Sequence, residues 1–400
     1  MVEELLLTGE IETADDDHLG IKTIDEAVAE KFHPKNYDKL QLIYTHPDAQ
    51  YLNGKTTTVN WDLGNTCTYA CTYCHPSLHD GSIGWPELDY AIKAAKKVTD
   101  HYKGQLGRYM SWVFLGGEVI VWKNFLPFIQ AIKEYDNDAT IVIITNGKRT
   151  LRWWNKAKHY IDEICFTVHI EFADIEEMKA VINEVGDTVG TISIQIPAIP
   201  SRWDECIEAI NVLKEANWYN SLRLKFLYNH LTSHVGSAKA YQPEERLGYQ
   251  AIIDGKEIIE RYTPEQMATI NNLVHSKKPD ASFKRSPKLY RRLCAFKKDE
   301  NGAYNKPLLD KIQWHKLIGY KANSWRGWKC HAGIESLTMD RWGGMRVARC
   351  AVYGIRKGGE GKVGNWKTGL DSIDWPTEPV TCPFEYCGCG ADITITKEKK

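Results

Sequence analysis

The chain has 400 residues, 43% hydrophobic and 26% charged, with 51 Lys and Arg against 52 Asp and Glu for a formal net charge of −1. These proportions exclude disorder as the main theme, and the near-neutral balance excludes both a uniformly basic nucleic-acid coat and a uniformly acidic solvating protein. The longest apolar runs, such as Trp112–Leu115 and Ile141–Ile144, are far too short to span a bilayer. No basic start followed by an apolar stretch opens the chain, so no secretory signal and a cytoplasmic location are expected. In that setting eleven cysteines read as metal ligands or redox groups rather than as a disulfide framework.

Taken in chain order, residues 1–30 are strongly acidic, with Lys22 as their one Lys or Arg. From residue 57 to 228, short strand-like runs alternate with longer helix-like ones. Strands are predicted at Thr58–Leu63, Ser111–Leu115, Thr140–Thr145, Glu163–His169, Thr191–Ile196 and Ser221–Leu227, each rich in β-branched or aromatic residues and ending at polar or glycine punctuation. Helices are predicted over Trp85–Tyr102, Asn124–Tyr135, Ile175–Val185 and Asp204–Ala216, the last capped by Ser201 with Glu205 in its first turn. Six β/α units imply a parallel sheet, because parallel neighbours need a crossover element. They are too few for an eight-strand barrel, so the expected fold is α/β, a partial (β/α)6 barrel of the TIM type with a small cysteine-rich C-terminal module.

The alternation then breaks. Over 277–329 there are many Lys and Arg against only Asp280, Asp299, Glu300 and Asp310, interleaved with aromatics such as Tyr290, Trp314, Trp325 and Trp328. Cation plus stacking surface is what a nucleic-acid binder offers phosphates and bases. A solvated linker whose aromatics pack on neighbours has the same composition, as does a segment that matches the acidic start within the molecule. The expected organisation is an acidic extension over 1–56, the partial barrel over 57–228, a basic and aromatic linker or cap over 229–325, and the cysteine-rich module over 326–400.

Cys67, Cys71 and Cys74 form a C-x3-C-x2-C triple directly after the first predicted strand. That position is the carboxyl end of a parallel sheet, where α/β folds keep their active sites. Three thiolates on one short loop suit an iron–sulfur cube, which is normally held by four cysteines. The missing fourth ligand leaves one metal open, the logic that separates catalytic from structural metal sites. Zinc completed by His75 or His79 is the competing reading.

With Tyr73 before the last cysteine, the triple resembles the C-x3-C-x-aromatic-C fingerprint of radical S-adenosylmethionine enzymes. The resemblance implies a [4Fe-4S] cluster on the three cysteines and S-adenosylmethionine chelated at the open iron. It further implies a reducing partner such as flavodoxin or ferredoxin, and reductive cleavage to a 5′-deoxyadenosyl radical that abstracts hydrogen from a peptide, protein or nucleotide-type substrate. No catalytic residue beyond the cluster is assigned. Phe114-Leu115-Gly116-Gly117-Glu118 is similar to the family's Gly-Gly-Glu segment, which receives the methionyl ammonium, although Val119 replaces the usual proline. Glycine permits close backbone approach to a ligand, and a carboxylate suits an ammonium. The resemblance adds adenine contact at Tyr73. Asn146 lies in a recurrent Thr-Asn-Gly segment, and His169, Glu171, Gln195 and Lys225 are polar groups at or near later strand ends, suited to ribose, carboxylate or substrate or simply satisfied in place.

Cys330, Cys350, Cys382, Cys387 and Cys389 gather late. A hairpin around Asp340-Arg341-Trp342-Gly343-Gly344 is predicted to bring Cys330 and Cys350 together. The group resembles the twitch or SPASM-type extensions that hold an auxiliary iron–sulfur cluster, here on four of the five, with zinc as the competitor. Cys165, Cys206 and Cys294 stand alone. A non-catalytic zinc- or iron–sulfur-stabilised nucleic-acid module is the alternative; it leaves the β/α series ending in Gly-Gly-Glu unexplained.

Overall fold

The computed structural model describes residues 39–44, 56–227, 248–253, 256–277, 291–296, 309–312, 325–350, 361–383, 387 and 395–399. The acidic segment 1–30, most of 277–329, the glycine pair at 358–359 and Cys389 lie outside the described residues.

Strand β1 (Lys39–Tyr44) precedes the alternating region, which runs β2 (Thr56–Asp62), α1 (Leu88–Thr99), β3 (Tyr109–Leu115), α2 (Phe125–Tyr135), β4 (Thr140–Thr145), α3 (Leu151–Ala157), β5 (Glu163–Thr167), α4 (Ile175–Gly186), β6 (Thr191–Pro197), α5 (Trp203–Leu213) and β7 (Asn220–Lys225). Strands β2 to β7 are parallel and adjacent in sequence order, so the expected six-unit array is present. Strict alternation splits the sheet into two unlike faces. Trp61, Trp112, Phe114, Ile143, Phe166, Ile194 and Leu222 are wholly buried. They meet apolar helix stripes that include Ala91, Phe128, Ile182 and Ile210, at the helical spacing that puts them on one side. The opposite face carries Asn60, Asp62, Ser111, Cys165, Gln195, Arg223 and Lys225, and is the inner face of the partial barrel.

Helix α5 departs from expectation at its start. Pro200–Arg202 forms a separate 3-10 turn, so the helix begins two residues after Ser201, at Trp203, with Arg202 as its N-cap. Arg202 pairs with Glu205 through two bonds of 2.7 and 2.5 Å, and the Ser201 amide donates to Glu260 instead. Helix α3, which the periodicity did not announce, is seven residues long and is capped by the Thr150 hydroxyl on the Trp153 amide.

Beyond the array come β8 (Tyr249–Ile253), β9 (Lys256–Glu260), α6 (Pro264–Asn272) and β10 (Val274–Lys277). Helix α6 opens on a Thr263/Gln266 capping box, and β10 closes one flank of the sheet antiparallel to β7. The chain continues through β11 (Arg291–Phe296), β12 (Leu309–Ile312), β13 (Lys329–Cys330), β14 (Ser336–Met339), β15 (Gly344–Arg346), β16 (Lys362–Asn365), β17 (Val380–Thr381) and β18 (Lys397–Glu398).

The late-cysteine segment grows directly out of the barrel. Strand β14 pairs parallel with β2 and starts a β14–β15–β16 meander, giving a ten-stranded sheet in the order β10-β7-β6-β5-β4-β3-β2-β14-β15-β16. The seam is closed by side chains. Thr57 Oγ1 donates to the Ile334 carbonyl at 2.7 Å, and Tyr102 OH donates to the Gly333 carbonyl at 2.6 Å. Trp366 packs edge-on against Trp61, with ring centroids 5.1 Å apart. The hairpin expected around residues 340–344 is present as β14 and β15.

A second sheet, β12-β11-β1-β18-β13-β17, draws on both ends of the described chain. Its strands β11 and β12 belong to the basic and aromatic stretch, which therefore contributes sheet structure, and β11 pairs antiparallel with β1. Lys397 is buried there, with its ammonium 4.9 Å from the centre of the Trp325 ring.

Candidate functional site

The three early cysteines lie on the loop between β2 and α1, at the carboxyl end of the parallel strands. Asn65, wholly buried, gathers the loop. Its Nδ2 donates to the Ser77 carbonyl, Asp80 Oδ1 and Ser82 Oγ at 3.0, 2.6 and 3.0 Å, and its Oδ1 accepts from the Ile83 amide at 2.8 Å. No spacing rule marks Asn65 in advance; its importance comes from contacts up to eighteen residues away.

Cys71 is buried, while Cys67 and Cys74 remain partly open. Burial pushes the Cys71 thiol up to about 12 and the Cys74 thiol to about 11, and raises Cys67. Cys71 is raised further by Glu171, Cys74 and Cys67, so the three sulfurs stand in one another's field. Such a set holds its thiolates only beside strong positive charge, which a metal cluster supplies. The donor set thus fits an iron–sulfur cube. Among the described residues no three His, Cys, Asp or Glu converge closely enough for a single ion, and ligands at separate corners of a cube are spread more widely than that. His75 is exposed and turned away, its Nδ1 2.8 Å from Ser77 Oγ, where it caps the Pro76–Leu78 turn.

Three strand ends grip this loop. From β3, the Glu118 amide donates to the Thr66 carbonyl at 2.8 Å. Gly116 and Gly117 have φ of +105° and +47°. A Cβ on Gly116 would lie 1.9 Å from Asp62 Oδ1, and one on Gly117 would lie 2.2 Å from the Thr66 carbonyl oxygen. These glycines therefore let the third strand close onto the chain's own cysteine loop.

Glu118 is almost completely buried. Its carboxylate accepts from Thr145 Oγ1 at 2.7 Å and from the Asn146 amide at 2.5 Å, and burial pushes its pKa up to about 7. From β4, Asn146 Nδ2 donates to Thr68 Oγ1 at 3.1 Å and lies 3.9 Å from Cys67 Sγ.

The end of β5 supplies His169 and Glu171. Tyr73 OH and His169 Nδ1 are 2.6 Å apart, and the two rings stack at 5.9 Å. Burial lowers the His169 pKa to about 4, which leaves a neutral ring. Glu171 accepts from the Thr72 amide at 2.8 Å and also from the Thr72 hydroxyl, which in turn lies 2.6 Å from Tyr249 OH. His169 Nδ1 and both carboxylate oxygens of Glu171 are thus engaged by the cysteine loop itself. Gln195 stands in register between Thr167 and Arg223 on the inner face.

Asp62, at the end of β2, is partly buried, and desolvation pushes its pKa up to about 6 against the pull of Arg341. Arg341, in the β14–β15 turn, donates Nε and Nη2 to Asp62 Oδ2 at 2.8 and 2.7 Å. The late segment therefore reaches the mouth of the barrel.

Of the late cysteines, Cys330 and Cys382 are brought close by strand pairing. Cys330 sits on β13 opposite Val380, and the Cys382 amide donates to the Trp328 carbonyl at 2.8 Å, so Cys330 and Cys382 lie diagonally across β13 and β17. Cys350 follows the hairpin three residues after Val347, whose carbonyl accepts from the Gly333 amide at 2.9 Å. Cys330, Cys350, Cys382 and Cys387 are free of disulfides. Cys206 is buried on α5, and Cys165 faces the barrel interior; the side chain of Cys294, on β11, lies outside the described residues.

Residues 61–229 match the family model described as the Radical SAM superfamily. The match spans the β/α array and the cysteine loop and marks that segment as similar to a superfamily of enzymes that use S-adenosylmethionine and a [4Fe-4S] cluster. Among solved structures, BtrN in complex with AdoMet and 2-DOIA is 18% identical over 34% of this chain and 56% of that one, with a TM-score of 0.28. Native anSMEcpe with bound AdoMet and Cp18Cys peptide is 14% identical over 42% and 50%, with a TM-score of 0.34. Streptococcus suis SuiB bound to S-adenosylmethionine is 11% identical over 82% and 68%, with a TM-score of 0.45. The chain spans 56% and 50% of the first two solved structures it matches, both of BtrN. No curated protein matches. Among the described residues no helix is long and apolar enough to cross a membrane.

Proposed function

We propose that Cys67, Cys71 and Cys74 hold the reactive [4Fe-4S] cluster of a radical S-adenosylmethionine enzyme, with S-adenosylmethionine at the open iron. The reading rests on one observation: three thiols in mutual electrostatic reach, on a loop fixed by the ends of β3, β4 and β5. When bound, the cluster would pass an electron to the sulfonium and release a 5′-deoxyadenosyl radical that takes hydrogen from the substrate.

The chain's own residues orient and enclose. Gly116 and Gly117 allow the close approach that lets Glu118 hold Asn146 beside Cys67. Tyr73 is steadied by His169 for contact with adenine, and Gln195 faces the same interior. Four of Cys330, Cys350, Cys382, Cys387 and Cys389 form an auxiliary cluster, a reading supported by the pairing that aligns Cys330 with Cys382. The cysteine-rich module, whose Arg341 reaches Asp62 at the barrel mouth, helps to shield the mouth from water and oxygen. The substrate is a peptide, protein or nucleotide, and the electron comes from a flavodoxin or ferredoxin.

Anaerobic reconstitution tests the reading. About eight irons per chain are expected for two cubes, together with 5′-deoxyadenosine after reduction in the presence of S-adenosylmethionine. Zinc without iron, or cleavage retained in Cys71→Ala, overturns it.

A further inference from the structure

The inner face of the barrel carries two cations for which the cluster chemistry has no use. Arg223 and Lys225 lie two residues apart on β7 and so share that face. Arg223 stands level with Gln195 and Thr167, and Lys225 stands level with Pro197. The ionisable neighbour that acts on both is Cys165, whose thiol burial pushes up.

Arg223 Nε is buried with no hydrogen-bond partner among the described residues. Neither side chain forms an ion pair with a carboxylate among the described residues, whereas other interior cations do: Arg341 pairs with Asp62, and Lys133 pairs with Asp162 at 2.7 Å. Lys225 keeps its side chain exposed to water while protein crowds it closely enough to lower its pKa. That combination marks a group lining an open concavity, not one on a convex surface. Arg223 and Arg349 add positive field at the Lys225 ammonium, and Lys225 in turn acts on His169, the partner of Tyr73. The pair therefore sits inside the barrel one neighbour away from the cysteine loop. Unpaired guanidinium and ammonium groups in a confined site are stabilised by an anion that enters with the ligand.

We infer that Arg223 and Lys225 form an anion subsite that holds a carboxylate or phosphate of the substrate within the barrel. The inference rests on the proposed radical chemistry for the identity of the site. The methionyl carboxylate of S-adenosylmethionine has the same chemistry, so the test separates the two sources.

Reconstituted holoprotein, saturated with S-adenosylmethionine, is treated with a lysine-acylating reagent and mapped by mass spectrometry, with inorganic phosphate or acetate as the competing anion. One of these anions is expected to slow modification of Lys225 at least fivefold and saturably, while leaving the surface residue Lys148 unaffected. Arg223→Gln is expected to weaken that protection at least tenfold, and Lys225→Gln to change the affinity for S-adenosylmethionine less than twofold. Absence of saturable protection by both anions overturns the subsite, as does protection unchanged in Arg223→Gln. A tenfold loss of S-adenosylmethionine affinity in Lys225→Gln assigns the cations to the cosubstrate and overturns the substrate assignment. Formation of 5′-deoxyadenosine by the wild-type protein is read separately, so failure of the radical chemistry and failure of the anion subsite give different results. Melting curves of both variants identify any loss caused by misfolding, and Arg223→Lys, which restores charge, is expected to recover at least half of the protection.

Discussion

The two cysteine groups are assembled in opposite ways. The early one is a single loop whose thiols are neighbours by sequence, held from outside by Glu118, Asn146 and Glu171 at three strand ends. The late one draws on distant parts of the chain: Cys330 and Cys382 come close because β13 pairs with β17, while Cys350 follows the β14–β15 hairpin. A local group can be exact in spacing yet depend on distant residues for orientation, whereas a dispersed group depends on the sheet for its existence.

The largest effect expected from breaking this contrast is on chemistry. Cys71→Ala should lower 5′-deoxyadenosine formation by more than a hundredfold. Cys330→Ser should remove about half of the bound iron, as expected for one of two cubes, and leave the early cluster's spectrum in place. Equal loss of the early cluster in both variants would join the two groups into one functional unit.

Next comes the support of the early loop. Gly117→Ala puts a Cβ against the Thr66 carbonyl at a positive φ. A cost of about 2–4 kcal/mol is expected, read as a lower urea midpoint.

A third test uses pH. Glu118 has its pKa raised from 4.5 to about 7 by burial. The folded chain therefore keeps a proton that the unfolded chain releases, so this group's contribution is complete below about pH 4.5, falls as pH rises, and is lost above about pH 7. Urea titrations between those limits should lose roughly 3 kcal/mol in the wild type, at 1.4 kcal/mol per pKa unit, and Glu118→Gln should flatten the slope.

The smallest effect is expected at Tyr73. Tyr73→Phe deletes the bond to His169 while keeping the ring stack. It should cost about 1 kcal/mol of stability, measured by melting.

The six-unit array was legible because alternating periods survive in the sequence wherever a sheet is buried under helices. Trp61 stands between Asn60 and Asp62, the strands are rich in β-branched and aromatic residues, and the covering helices repeat their apolar positions every three or four residues. Helix α3 was not legible: seven residues hold too few turns to show a period, and its signal is a lone Thr150 cap. The cysteine triple was legible from spacing alone, but the reasons behind its companions were only partly so. Gly116 and Gly117 were read as room for a ligand, yet they also make room for Asp62 and Thr66, which no local pattern connects to them. Asn65 and the parallel pairing of β14 with β2 were invisible because both depend on contacts formed only after the chain has folded back.

That last pairing has a consequence for the order in which the molecule is made. The strand that leads into the cysteine loop finds its outer neighbour 277 residues later, where Thr57 meets Ile334. During synthesis the six-strand array therefore waits with an open, hydrogen-bond-hungry border until residue 339 has left the ribosome. Closure is a late event with high contact order, and a nascent chain held before that point is the form of this protein most exposed to aggregation and to chaperone capture.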